Sequence, residues 1–199
     1  MSHYFETPTG DEHRRDIQAV IFGRAFTFTT ADGIFSGARL DPGTAVLLRS
    51  VDPPRPTEAQ PAPRLLDLGC GFGPIAVGLA AACPAAIVTA TDVNDRALEL
   101  TRLNAARAGV NVLSSRPEAI DPDARFDEIW SNPPIRVGKS ALHDLLGLWL
   151  GRLAPGGVAY IVVGRNLGGD SLQTWLTDQG WPTTRLASAK GYRVLRVSA

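Results

Sequence analysis

The chain has 199 residues, 44% hydrophobic and 20% charged, with twenty basic side chains against twenty acidic ones. That is the size and balance of one globular domain with a sizeable core, and a formal charge of zero does not advertise a polyanionic partner. Cys70 and Cys83 are too few for a disulfide framework or a four-ligand zinc site, and nowhere do eighteen apolar residues run together, so the expectation is a cytoplasmic protein without metal or membrane span.

Charge is unevenly spread. Residues 40–132 carry 8 basic and 12 acidic side chains, whereas residues 133–199 carry 8 basic and 3 acidic. The C-terminal cations Arg185, Lys190, Arg193 and Arg196 could cradle phosphates or solubilise an edge strand, and both readings stay open.

Val20 to Thr30 is rich in β-branched and aromatic residues, Ala31-Asp32-Gly33 supplies a turn, and Ile34-Phe35 resumes extended character, which predicts a hairpin. Pro42-Gly43-Thr44 opens a short helix through Leu47, Leu48 and Val51. Asp52 to Arg64 then brings five prolines with almost no large apolar residue. The expected organisation is an N-terminal appendage over 1–51, a proline-rich linker over 52–64 and a main domain over 65–199.

From Leu65 short apolar runs alternate with helical stretches, the pattern of a doubly wound α/β fold with a parallel sheet. Strands are predicted at Leu65–Leu68, Ile87–Thr91, Asn111–Ser114, Phe126–Ser131 and Val158–Val163. Helices are predicted at Pro74–Ala82, Asp95–Ala108 ended by Gly109, Lys139–Leu153 and Ser171–Gln179. Leu142, Leu145, Leu146, Trp149, Leu150 and Leu153 form one apolar stripe. Pro155-Gly156-Gly157 reads as a turn, and Thr183–Ala187 with Arg193–Val197 as a closing antiparallel hairpin around Lys190-Gly191.

Asp67-Leu68-Gly69-Cys70-Gly71-Phe72-Gly73 joins a predicted strand to a predicted helix. Glycines let the backbone turn sharply and approach a ligand, and the helix beyond offers free N–H groups. A nicotinamide fingerprint would need glycine at 74, where the chain has Pro74. Asp92 ends the next strand, where a carboxylate can accept both ribose hydroxyls of an adenosine; Asn94 is the competing candidate for capping the following helix.

Asn132-Pro133-Pro134-Ile135 closes a further strand. An exocyclic amine is a poor nucleophile because its lone pair is delocalised into the base. If the Asn132 oxygen and the Pro133 carbonyl each accept an N–H, the nitrogen is drawn towards tetrahedral geometry, and positioning replaces a strong base. The prolines keep this loop rigid and push Asn132 out of helical conformation.

These three motifs, in this order, resemble those of class I S-adenosylmethionine-dependent methyltransferases. More narrowly, Gly33-Ile34-Phe35-Ser36, Asp41-Pro42-Gly43-Thr44 and Asn132 to Lys139 resemble the small methyltransferase domain of the 16S ribosomal RNA guanine-N2 methyltransferase family. The resemblance implies a Rossmann-like methyltransferase sheet, S-adenosylmethionine as cofactor and ribosomal RNA or a ribosomal subunit as partner. It implies cofactor contacts at Asp67, Gly69, Gly71, Phe72, Gly73, Asp92 and Asn132, catalytic roles for Asn132, Pro133 and Pro134, and substrate contacts at Ile135, Arg136 and Lys139. For Arg136 and Lys139, phosphate contact and plain solvation both remain open.

Two departures stand out. Arg116 occupies about the place where the family sets an acid for the adenine amino group, with Glu118 as the nearest substitute, and the second, N-terminal copy of the domain found in larger bacterial members is not seen here. Protein-glutamine or small-amine methylation is the alternative reading, and such enzymes usually place an aromatic where this chain has Ile135. An RNA-binding domain that kept the fold but lost the chemistry is the non-enzymatic alternative, against which Asn132 and the three glycines stand. His3, His13 and His143 show no metal or nucleophile spacing, and Trp149 and Trp175 read as helix-packing residues.

Overall fold

The computed structural model describes residues 13–34, 39–134 and 138–199. Along these residues run β1 (Arg14–Ile21), β2 (Arg24–Ala31), α1 (Pro42–Ser50), β3 (Arg64–Leu68), α2 (Pro74–Ala82), β4 (Ile87–Thr91) and α3 (Asp95–Ala108). They continue with β5 (Leu113–Ser115), β6 (Phe126–Ser131), α4 (Lys139–Leu150), β7 (Leu153–Gly164), α5 (Gly169–Asp178), β8 (Thr183–Ala189) and β9 (Tyr192–Ser198).

Seven strands form one sheet in the order β5-β4-β3-β6-β7-β9-β8. β3 to β7 run parallel, and β9 runs antiparallel to both β7 and β8. This is the doubly wound, Rossmann-like α/β fold with an antiparallel C-terminal hairpin. Strands covered on both faces read as near-continuous apolar runs, and alternate residues divide between two cores. Leu65, Val88, Ala90, Trp130 and Val194 face α1, α2, α3 and the β1–β2 hairpin. Leu66, Ile129, Ile161, Leu195 and Val197 face α4 and α5, whose Leu142, Leu146, Trp149, Leu172 and Leu176 are buried against them.

The hairpin exists, but its bend differs from the expected one. Ile21 pairs with Arg24, so the turn is Phe22-Gly23, with φ of 49° and 78°, while Asp32-Gly33 follows the second strand. The strand run therefore breaks inside the segment read as one strand. Phe22 tolerates its positive φ in a tight hairpin because its ring is anchored edge-on against Trp130, 6.3 Å away. Ile21 fits a notch in α2: a Cβ on Gly78 would lie 2.5 Å from its Cγ2. The hairpin thus closes over one face of the sheet.

Other boundaries shift modestly. The third parallel strand is Leu113–Ser115, and α4 ends at Leu150 so that Leu153 opens β7. The expected Pro155-Gly156-Gly157 turn lies within β7 as an irregularity, since Phe126 pairs with Leu153 but Glu128 with Val158. The proline-rich stretch is tied to the sheet at its end: Ile87 N donates to Pro63 O, and Arg64 N donates to an Asp127 carboxylate oxygen at 2.7 Å.

Candidate active site

Strand register sets the site. Leu68 of β3 lies opposite Thr91 of β4 and Ser131 of β6, and Thr91 lies opposite Ser115 of β5. The chain leaves these strands at one level, so Arg116, Asp92, Gly69 and Asn132 emerge side by side, about 5 Å from strand to strand. The row spans the β3–β6 boundary, where the strand order reverses; open α/β sheets bind ligands at such points.

The glycine loop is wound around the end of β4. Gly69 N and Cys70 N both donate to Thr91 O, at 2.9 and 3.0 Å, and Gly71 N donates to Asp92 Oδ2 at 3.0 Å. Gly69 and Gly71 have φ of 78° and 56°, and beyond each an added Cβ would meet open space. Gly73 differs, for a Cβ there would sit 2.9 Å from Thr101 Oγ1. Pro74 then opens α2, and Ala76 N donates to Asp67 Oδ2 at 2.9 Å.

Asp67 is fully buried, and among the described residues its Oδ1 has no hydrogen-bond partner. Burial pushes its carboxyl up to about 7 despite the Ala76 bond, and the nearby charge of Asp92 acts in the same direction. Asp92 is half-buried; Oδ2 holds Gly71 and Oδ1 accepts from Asn94 N at 3.0 Å. Burial raises its pKa, opposed by those backbone donors. A carboxylate oxygen accepts more than one bond, so Asp92 keeps acceptor capacity for a ligand. Asn94 is the helix cap, accepting from Arg96 N at 3.0 Å.

Two positioning groups escaped the sequence reading. Thr101 Oγ1 donates to Gly71 O at 3.1 Å. Asn104, buried, donates through Nδ2 to Phe72 O and Thr29 O, both at 2.8 Å, and accepts from Thr29 N at 2.7 Å. The only local signal was polarity on the stripe of α3 that carries Ala97, Leu98 and Ala105 inward. Phe72, expected to contact the cofactor, has its ring buried against Phe28, 5.7 Å away, because its side chain faces the hairpin.

At the other end of the row, Asn132 Nδ2 donates to Asp41 Oδ2 at 2.8 Å and to Thr44 Oγ1 at 3.0 Å. Asp41 is the N-cap of α1, and its Oδ2 also accepts from Thr44 N at 2.9 Å. Ser131 Oγ donates to Leu68 O at 2.8 Å, locking β6 to β3 directly below. Pro133 is buried, Pro134 half-buried, and Lys139 stands exposed as the first residue of α4. Ile135 and Arg136 lie outside the described residues.

Arg116 bridges Asp95 at 2.8 Å and Glu118 at 2.7 Å, so the Glu118 carboxylate is engaged by this cation, which holds its pKa down. Of the C-terminal cations, Arg193 pairs with Asp170, Arg185 lies 3.9 Å from the same carboxylate, and Arg196 donates to Ser198 Oγ at 2.7 Å. β8 is a sheet edge. His143 stacks on Trp175 at 3.8 Å, and Trp149 is buried. His3 lies outside the described residues. No helix among the described residues is long and apolar enough to cross a membrane.

The family model described as methyltransferase small domain matches residues 25–196. A Bacillus subtilis (strain 168) protein, YbxB, is 29% identical over 198 residues, covering 98% of this chain and 96% of its own length. Ribosomal RNA small subunit methyltransferase C of Pseudomonas aeruginosa (strain LESB58) is 34% identical over 167 residues, 81% of this chain and 48% of that enzyme. The T. thermophilus 16S rRNA N2 G1207 methyltransferase, solved with AdoMet and guanosine, superposes with a TM-score of 0.80 at 25% identity, covering 96% of this chain and 52% of that one. The chain thus spans about half the length of these two ribosomal RNA enzymes.

Proposed function

The chain belongs to the methyltransferase small domain family, whose cofactor is S-adenosylmethionine, and from that premise we propose that it methylates an exocyclic amino nitrogen of a nucleobase, guanine N2 in ribosomal RNA. The observation that carries this reading is the commitment of the Asn132 amide. Both Nδ2 hydrogens are given to Asp41 and Thr44, so the remaining polar atom of the side chain is an acceptor, Oδ1. An amine about to be methylated needs such acceptors for its N–H groups, and the Pro133 carbonyl beside it is the second candidate.

The cofactor side fits an adenosyl sulfonium with an amino-acid tail. The orphaned, buried Asp67 Oδ1 suits an ammonium or a water bridging to one, Asp92 suits a ribose diol, and Gly69 and Gly71 leave room for close approach. The bound cofactor supplies an electrophilic methyl group. The chain's own residues orient the amine, exclude alternative geometries and accept its protons in hydrogen bonds; the methylated amine is acidic enough to shed a proton without a strong base.

Guanine as the base and ribosomal RNA as the carrier are supported by the P. aeruginosa enzyme and by the T. thermophilus structure. The test is incubation with methyl-labelled S-adenosylmethionine, offering unmodified small-subunit ribosomal RNA, assembled subunits and total cellular protein in parallel. Label is expected in RNA and, after digestion, in N2-methylguanosine. Label confined to protein would replace this reading with amide methylation. With Lys139→Glu, the salt dependence of RNA affinity should flatten by about one phosphate contact.

A further inference from the structure

We propose that Asp41 and Thr44, at the head of α1, are positioning residues for methyl transfer: they dictate which end of the Asn132 amide faces the reacting nitrogen. The inference rests on the role given to Asn132 above and names the groups on which that role depends. A side-chain amide can occupy its place in two ways related by a half-turn, exchanging oxygen and nitrogen at little steric cost. Only one of them serves an amine that must donate.

Asp41 decides between the two, because an ionised carboxylate can only accept. Its Oδ2 stands 2.8 Å from Asn132 Nδ2. After the half-turn, two oxygens would face each other at that separation with no proton between them. The Thr44 hydroxyl, 3.0 Å away, can donate or accept and follows whichever orientation Asp41 imposes. Asp41 is itself fixed: its Oδ2 accepts from Thr44 N at 2.9 Å, and both residues are buried, 8% and 5% exposed. A Cβ on the intervening Gly43 would lie 2.9 Å from Asp41 Oδ2 and 2.8 Å from the Tyr192 ring, so nothing larger fits between carboxylate and ring. The bond to a carboxylate also polarises the amide, adding negative charge to Oδ1 and strengthening its hold on the amine N–H.

Two variants separate this role from a structural one. Asp41→Ser keeps an oxygen to cap α1 but is too short to reach Asn132, and Thr44→Val keeps the shape without the hydroxyl. In the full chain carrying 15N-asparagine, the Asn132 side-chain NH2 signal is identified by its loss in Asn132→Ala. It should show slow proton exchange in the wild type and move to the free-amide range with fast exchange in folded Asp41→Ser; an unmoved signal would overturn the proposal. In single-turnover transfer to unmodified small-subunit ribosomal RNA, both variants should be slower, Asp41→Ser by about 10²-fold, with S-adenosylmethionine affinity retained. In an Asn132→Ala background the same substitutions should cost almost nothing, because the positioned group is gone. An undiminished loss in that background would assign Asp41 and Thr44 to the scaffold alone and overturn the proposal. Absence of any transfer by the wild type would instead fail the proposed substrate, and the NH2 signal would still decide whether the amide is held.

Discussion

On the β3–β4 side of the crevice, the loop from Gly69 to Gly73 is held chiefly through its backbone, by Thr91, Asp92, Thr101 and Asn104. On the β6 side, Asn132 is held through its side chain, by two groups that precede it by 91 and 88 residues. A loop fixed by main-chain bonds presents a shape, and its side chains can vary while the shape persists. A side chain fixed by other side chains presents one oriented atom, and losing that atom leaves the fold standing. Binding and transfer should therefore be separable by mutation.

The sharpest division is expected from Asn132→Ala. Turnover should fall by about 10²–10³-fold, the usual cost of removing a preorganised polar group at a reacting centre, while S-adenosylmethionine affinity stays near wild type. Single-turnover transfer beside equilibrium cofactor binding measures both. A matching collapse of cofactor affinity would erase the distinction between the two sides.

Asn104→Ala tests the other side. It leaves Thr29 N, Thr29 O and Phe72 O without their partner in a buried setting, at a cost of about 3 kcal/mol in stability. For a chain of this length that lowers Tm by roughly 6–12 °C, and the slackened loop should weaken cofactor binding as well. A variant that melted earlier but bound S-adenosylmethionine normally would show that the loop keeps its shape without α3.

Asp92→Ala should weaken S-adenosylmethionine binding by about 1.5–3 kcal/mol, because a charge-assisted acceptor is lost together with the support of Gly71 N. Calorimetric titration reads this directly. Unchanged affinity in a folded variant would reduce Asp92 to a brace for the loop and for Asn94.

A different kind of effect is spread over pH. Asp67 titrates at about 7 in the fold, against about 3.9 in an unfolded chain. Between those values the folded chain keeps a proton that the unfolded chain has lost. Its contribution to stability is therefore complete below about pH 4 and is lost as pH rises to and through 7, by no more than about 1.4 kcal/mol per pH unit. Thermal melts from pH 5 to 8 should show this decline in the wild type and a flatter profile in Asp67→Asn. An identical profile in both would place the titrating group elsewhere.

The elements most legible from sequence were those in which two local signals agreed. α2 has Gly73 and Pro74 at its head, and α3 is bounded by Asn94 and by Gly109 in the left-handed conformation. The hairpin bend is not legible in the sequence because Phe22-Gly23 is not a usual turn dipeptide; packing of Phe22 on Trp130 outweighs its local preference. In the candidate site, the side-by-side placement of Gly69, Asp92 and Asn132 is legible because each follows a strand, and the parallel register aligns strand ends automatically. Asp41 and Asn104 were not legible as holders of these residues, since their partners lie 91 and 75 or 32 positions away and no periodicity encodes such a bond. Phe72 sits among the loop glycines in sequence, whereas its ring and its carbonyl serve the core.

The order of the strands also sets a timetable for biosynthesis. β9 is translated after β8, yet it lies between β8 and β7. Until Tyr192–Ser198 has left the ribosome, β7 presents an open edge over Val158–Gly164, a stretch whose Ala159, Ile161, Val162 and Val163 become fully buried in the finished fold. An apolar edge of that length is a template for pairing with another nascent chain. A frameshift or premature stop within the β8–β9 hairpin should therefore reach the cell as aggregate and protease substrate, not as an enzyme of lowered activity.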